Sequence, residues 1–215
     1  MKEETYIVIL NLCTSKDEKG SLSWLNSPFD ACGRTMASDA HILVAVPRVG
    51  DYPYAPSKKI ESAHPFEKTM GVPITLDKFK TELAKYPTEP VYIRVDCDAC
   101  DGTGTAEWTC ELKGREYTDD HDCPICDGDG YFRYKTGKGE IDEDEYFRLG
   151  VSVFRIAVIS KLVKIAELAG ADEVVLVSQA ELSGSVFEIG EIEVLIMPCV
   201  CVGEETIGTI NVHKN

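Results

Sequence analysis

Apolar residues fall along the chain either in continuous runs or at helical spacing, and each kind predicts an element. Residues 5–13 (TYIVILNLC) are β-branched and apolar on both faces, which predicts a buried strand. Residues 14–20 read as a charged turn or short helix, and residues 22–29 as a second strand that Pro28 places at an edge or ends. Residues 42–46 form a continuous apolar strand bounded by Pro47 and entered through residues 35–41. Pro53, Pro56, Pro65 and Pro73 mark residues 50–73 as an irregular surface loop. Thr75 is an N-cap candidate, Leu76, Phe79 and Leu83 follow at helical spacing, and Pro87 stops that helix.

Residues 91–95 and 131–135 read as strands, and residues 137–145 as an acidic, solvated turn. Ser152 caps the longest predicted helix, which runs to Ala169 and stops at Gly170. On its wheel Phe154, Val158, Ile159, Leu162, Ile165, Ala166 and Ala169 share one face, opposite Ser160, Lys161, Lys164 and Glu167. Arg155 falls on the apolar side and is expected to cap or pair near the helix start. Strands follow at 173–178, 185–189 and 191–197, with Gly190 turning the last pair and a final strand expected over 206–212. Strands, a long helix and a meander predict an α+β fold with an antiparallel sheet.

Between the strands at 91–95 and 131–135 the pattern C-x-x-C-x-G-x-G occurs twice, at residues 97–104 and 123–130. Two residues between cysteines let both thiolates reach one tetrahedral ion from a single turn, and four sulfur ligands with no open position describe a structural zinc site. The glycines supply the positive φ that a chain folding back round a metal requires. Cys97, Cys100, Cys123 and Cys126 are therefore the expected ligands of one structural Zn2+ per chain, on an elaborated hairpin tip whose metal pins two neighbouring strands. Two disulfides would need an oxidising compartment, and the opening Met1-Lys2-Glu3-Glu4 has no apolar signal segment behind it. A redox CxxC comes singly after a strand rather than as a glycine-tailed pair. The remaining cysteines (Cys13, Cys32, Cys110, Cys199, Cys201) are expected to be buried or inert in a reducing cytoplasm.

At 215 residues the chain suits one domain with an insertion, or two small ones. The net charge of −15 is unevenly placed: residues 1–95 balance 12 basic against 12 acidic side chains, whereas residues 96–130 hold 2 against 11. Four zinc-bound thiolates would add two further negative charges, so the insertion should repel phosphates and act as a stabiliser or protein-contact surface. His41, His64, His121 and His213 have no motif partners, although His121 stands beside Cys123, and no GxSxG, HExxH or phosphate-binding glycine loop is present. Asp39 and His41 alternate as strand residues do, and the acidic run at 142–145 lacks calcium-loop spacing, so neither is read as chemistry.

The paired CxxCxGxG units resemble the cysteine-rich region of DnaJ-type co-chaperones over these residues alone, two units against that family's four. The outer segments resemble a different family. Ala37-Ser38-Asp39-Ala40-His41-Ile42-Leu43 is similar to the Ala-Thr-Asp-Gly-His-x-Leu strand entry of bacterial sliding clamps, the β subunits of DNA polymerase III, with Ser38 and Ala40 departing from it. The helix ending at Ala169 with the strand after it, and Glu193-Val194-Leu195-Ile196-Met197-Pro198, resemble the clamp's helix-strand step and its closing strand.

This second resemblance implies a DNA-clamp-like α+β domain formed by residues 1–96 and 131–215, interrupted by an inserted four-cysteine zinc hairpin at 97–130. It implies a non-enzymatic cytoplasmic protein of DNA replication, with replication proteins as partners and no membrane association. Lys161 and Lys164 are the candidates to face DNA through non-specific phosphate contacts, with Lys16 and Lys19 behind them. A ring of about six such domains would require an oligomer of this chain. The rival expectation is an adaptor that docks proteins through the acidic hairpin without touching DNA.

Overall fold

The computed structural model describes residues 2–16, 25–50, 65–181, 183–199 and 206–212, without the Lys138 side chain. In chain order the elements are α1 (Glu3–Leu12), β1 (Phe29–Ala31), β2 (Arg34–Ser38), β3 (Ile42–Pro47), β4 (Val72–Thr75), α2 (Leu76–Leu83), β5 (Thr88–Asp96), β6 (Thr105–Leu112), β7 (Arg115–Asp122) and β8 (Tyr131–Ile141). They continue with β9 (Tyr146–Leu149), β10 (Ser152–Arg155), α3 (Ile156–Ala169), β11 (Glu173–Ser178), β12 (Ser185–Ile189), β13 (Ile192–Ile196) and β14 (Gly208–Ile210). Among the described residues the fold is mostly antiparallel sheet with three helices, and none of these is long and apolar enough to cross a membrane. The chain divides into two compact units, Met1–Pro87 with Asp142–Asn215, and Thr88–Ile141.

In the larger unit seven strands pair antiparallel in the order β1-β2-β3-β13-β12-β11-β4. Helix α3 lies against α1, α2, β9 and β10, burying Ile156, Val158, Ile159, Leu162, Val163, Ile165 and Ala166. Phe79, Phe147, Phe154 and Phe187 are fully buried, and the Phe79 ring stacks on Phe147 with centroids 6.2 Å apart. A three-stranded sheet, β10-β9-β14, contains the parallel pair β14–β9. Tyr86 secures that edge, because its hydroxyl donates to the Tyr146 carbonyl and accepts the Gly208 N–H.

Several sequence expectations need correction. Residues 5–12 form most of helix α1, with Cys13 at its C-cap, and are not a strand. Its β-branched residues favour strand locally, but the buried side chains Tyr6, Ile9, Leu10 and Cys13 recur at helical spacing, while Ile7 and Val8 are exposed. Glu3 and Glu4 in the first turn also suit a helix N-terminus. Of the strand expected over 22–29 only Phe29 is in β1; residues 22–24 lie outside those described, as do residues 17–20 of the turn before them and 51–64 of the proline-rich loop. Strand β4 ends that loop as an edge strand, which accommodates Pro73.

Ser152 does not cap α3. It belongs to β10, where its buried hydroxyl donates to the Ala180 carbonyl at 3.1 Å, and Phe154 reaches the core from the same strand. Arg155 occupies the N-cap position and pairs with Asp144 at 2.9 Å, and Gly170 ends the helix in the left-handed conformation at φ 66°. Residues 137–141 are the end of β8, so only the acids from Asp142 onward form a turn.

Asp39 and His41 lie in the turn between β2 and β3, where Ala40 adopts φ 77°. A non-glycine residue pays about 1–2 kcal/mol for this conformation. Ala40→Gly is expected to raise the unfolding free energy of the protein by about 1 kcal/mol in urea titrations; an unchanged or lower value would mean the turn is unstrained.

Candidate metal centre

Strand β5 runs into the first CxxCxGxG segment and β8 leaves the second, pairing antiparallel over Asp96↔Tyr131 and Val95↔Phe132. Between the two segments β6 and β7 form a separate two-stranded ribbon turned at Lys113 and Gly114, with φ 52° and 70°. The sequence carried this signal, because Ala106, Trp108, Cys110 and Leu112 alternate with polar residues ahead of a Lys-Gly turn. The ribbon accounts for the long separation between the cysteine pairs.

The two segments are near-copies in three dimensions. In each, the glycine after the second cysteine donates its N–H back to the first cysteine's carbonyl, Gly102 to Cys97 at 3.1 Å and Gly128 to Cys123 at 3.2 Å. They are also tied to each other: the Cys97 N–H donates to the Gly130 carbonyl at 2.9 Å, and the Cys123 N–H to the Gly104 carbonyl at 2.8 Å. The second glycine of each segment aims its N–H at a sulfur, Gly104 at Cys100 Sγ (3.4 Å) and Gly130 at Cys126 Sγ (3.2 Å). Asp101 and Asp127 adopt φ 49° and 52°, so each segment turns through successive left-handed residues.

This arrangement brings together all four expected ligands. Cys97, Cys100, Cys123 and Cys126 are buried, and their Sγ atoms lie within 4.8 Å of one another. Sulfurs about 2.3 Å from a tetrahedral ion stand about 3.8 Å apart, and Cys100 Sγ lies 3.8 Å from Cys126 Sγ, far beyond disulfide length. The four cysteines could hold a metal ion. Burial pushes the Cys126 thiol up to about 11, and raises that of Cys97. At Cys100 burial is outweighed by the Gly104 N–H and the neighbouring thiols, which bring it down to about 7. A cation at the centre would favour all four thiolates, since metal coordination overrides the cost of burial.

The other candidates fall elsewhere. His121 is exposed on β7, 3.8 Å from Asp119 and edge-on to Trp108, and is not among the clustered ligands. Cys110 and Cys32 are exposed rather than buried, whereas Cys13 is buried and its thiol is pushed up to about 12 by desolvation. His64, His213, Cys201 and Lys19 lie outside the described residues.

Lys161 and Lys164 lie on α3 and line, with Lys16, Asp39, His41 and Glu143, an open polar cavity of about 690 Å³. Lys161 is ion-paired to Asp39, and Lys164 stands 3.8 Å from Glu167. Burial raises the Asp39 pKa, but the Lys161 ammonium and the His41 and Ile42 N–H groups outweigh it and hold the carboxyl below its ordinary value.

No family model and no curated protein matches the sequence. Among solved structures the chain is similar to a DNA polymerase sliding clamp from Pseudomonas aeruginosa, with 11% identity, a TM-score of 0.49, and coverage of 93% of this chain and 64% of that one. It is similar to the sliding clamp from Caulobacter crescentus at 9% identity and a TM-score of 0.48, covering 94% and 65%. For DNA polymerase III subunit beta from Borrelia burgdorferi the values are 10%, 0.48, 92% and 61%. The chain thus spans less than two thirds of the length of each.

A Cβ added at Gly104 would lie 2.3 Å from the Gly128 carbonyl oxygen, and one at Gly130 would lie 2.5 Å from that of Gly102. Either alanine substitution is expected to break the cross-tie, collapsing amide chemical-shift dispersion over residues 97–130. Gly137→Ala, at φ 75° with open space around it, should cost only about 1–2 kcal/mol and leave the dispersion intact. Equal effects of the three substitutions would show that close backbone approach is not what the centre requires.

Proposed function

We propose that this chain is a non-enzymatic protein of the DNA replication apparatus, with a sliding-clamp-like domain at 1–96 and 131–215 and a zinc-stabilised insertion at 97–130. The observation that carries the zinc part is the cluster of four buried sulfurs within 4.8 Å of one another, each pair presented by its own glycine turn. Zinc suits four thiolates with no open ligand position, and such a site supplies folding energy rather than reactivity.

The clamp-like part draws support from how its two sequence motifs meet. Although far apart in the chain, they are neighbours in one sheet: Leu43 pairs with Leu195 and Ile42 with Ile196, and the Met197 N–H donates to the His41 carbonyl at 2.9 Å. The order β3, α3, β11 and β13 agrees with the resemblance.

A second reading, an adaptor that docks proteins and does not touch DNA, is favoured by the charges. Lys161 is already neutralised by Asp39, Lys164 has Glu167 within reach, and Glu143 lines the same cavity. A phosphate approaching this face would compete with carboxylates already in place, so direct DNA contact would be weak and salt-sensitive.

Metal analysis of protein purified without chelator is expected to give one zinc per chain, and Cys97→Ser/Cys123→Ser none. A metal-free wild type, or zinc retained by the double variant, would overturn the assignment. Lys161→Glu/Lys164→Glu separates the two readings in a low-salt gel-shift with duplex DNA. If α3 faces DNA, weak binding should fall at least about tenfold; binding left untouched, or absent from the wild type, favours the adaptor.

A further inference from the structure

We infer that one face of the β6–β7 ribbon docks an extended, lysine- and arginine-rich segment of another protein. The inference rests on the adaptor reading and names its surface and the chemistry of its partner.

Residues directly opposite on antiparallel strands share a face. The register places Trp108 opposite Asp119, Cys110 opposite Tyr117 and Leu112 opposite Arg115. One face of the ribbon therefore carries Ala106, Trp108, Cys110, Leu112 and Tyr117, with the Asp119–His121 pair beside Trp108 and Arg115 at the turn end. It is open: Trp108, Leu112 and Tyr117 are 51%, 60% and 50% exposed. The two strands form a sheet by themselves, so no further strand covers either edge among the described residues.

The opposite face carries Glu107 against Asp120 and Glu111 against Glu116. Like charges directly opposite destabilise a strand pair, and no ion pair reaches these four carboxylates among the described residues. A ribbon is one backbone layer thick, so these carboxylates lie about 10 Å from a ligand on the aromatic face, comparable to the Debye length in physiological salt. A ligand on Trp108 and Tyr117 thus meets aromatic rings in a negative field, which favours cationic side chains stacking on those rings.

The same field decides between occupants. A second copy would bring an equally acidic ribbon, and nucleic acid would bring phosphates; both are repelled. Eight residues of ribbon are about 27 Å long, matching about eight extended residues of a partner. A patch this small implies fast, transient exchange.

The test uses full-length, zinc-loaded protein and a fluorescein-labelled peptide alternating arginine with valine, with a glutamate-valine peptide for comparison. Anisotropy should show binding of the arginine peptide at roughly 10–100 μM, weakening with salt, and none of the glutamate peptide. Trp108→Ala/Tyr117→Ala leaves the net charge unchanged and should weaken binding at least about tenfold. Amide shifts in the wild type should move over residues 105–122. Equal binding by the double variant, shifts that map elsewhere, or ribbon-dependent self-association in sedimentation would each overturn the proposal. If the variant loses its zinc, the wild-type shift map decides. Zinc present with no peptide binding sinks the docking surface alone, whereas a wild type without zinc sinks the metal assignment.

Discussion

The Thr88–Ile141 unit has almost no hydrophobic core. Among the described residues its buried ones are the four cysteines and the two glycines, Gly104 and Gly130, that pass closest to the opposite segment. The rest of the unit is exposed or half-buried among the described residues, with Tyr92, Ile93 and Tyr134 on β5 and β8 exposed. An isolated two-stranded hairpin is marginal in water, and a unit this small needs a staple in place of buried apolar area. The sulfur cluster, with the paired Cys97–Gly130 and Cys123–Gly104 backbone bonds, is the only such staple among the described residues. Order in this unit therefore depends on what the sulfurs do, and a bound cation would make folding and ligation one event.

The Met1–Pro87 and Asp142–Asn215 unit follows the opposite rule. It buries five phenylalanines and one side of α3 in an ordinary apolar core, and needs no metal for it. Its polar features are local fastenings. The Asp39 carboxylate closes the β2–β3 turn through two N–H groups and holds Lys161, and the Tyr86 hydroxyl bridges β9 and β14. Strain is tolerated at Ala40 because the flanking strands fix the turn from both sides.

How legible these features were depended on whether local and tertiary signals agreed. The cysteine segments were legible because ligand spacing and turn chemistry are both written within eight residues. Strands β11 to β13 and the end of α3 were legible because apolar runs and glycine stops coincided. Helix α1 was not: Ile7, Val8 and Ile9 favour strand, and only the partners that cover Tyr6, Ile9, Leu10 and Cys13 decide for helix. The start of α3 is not written locally: Ser152 is as good a local cap as any, and nothing local reveals the Ala180 carbonyl that engages it. The β6–β7 ribbon is written only as the alternation of Ala106, Trp108, Cys110 and Leu112 before Lys113-Gly114, with no apolar partner near it in the chain to mark a buried face.

That ribbon also breaks two local rules. It leaves Trp108, Leu112 and Tyr117 in water, and it sets carboxylate against carboxylate across the strands. Neither feature helps a ribbon with no core beneath it; each lowers the stability that the sulfur cluster must supply. Ala106, at its base, does pack against the cysteines, so the cysteine end of the ribbon is built for stability while the far end is not. Sequences tend to break local rules where function demands it. A glycine-turned cysteine cluster that tolerates an unstable tip can present, on a rigid base, a surface that no self-supporting hairpin would keep exposed.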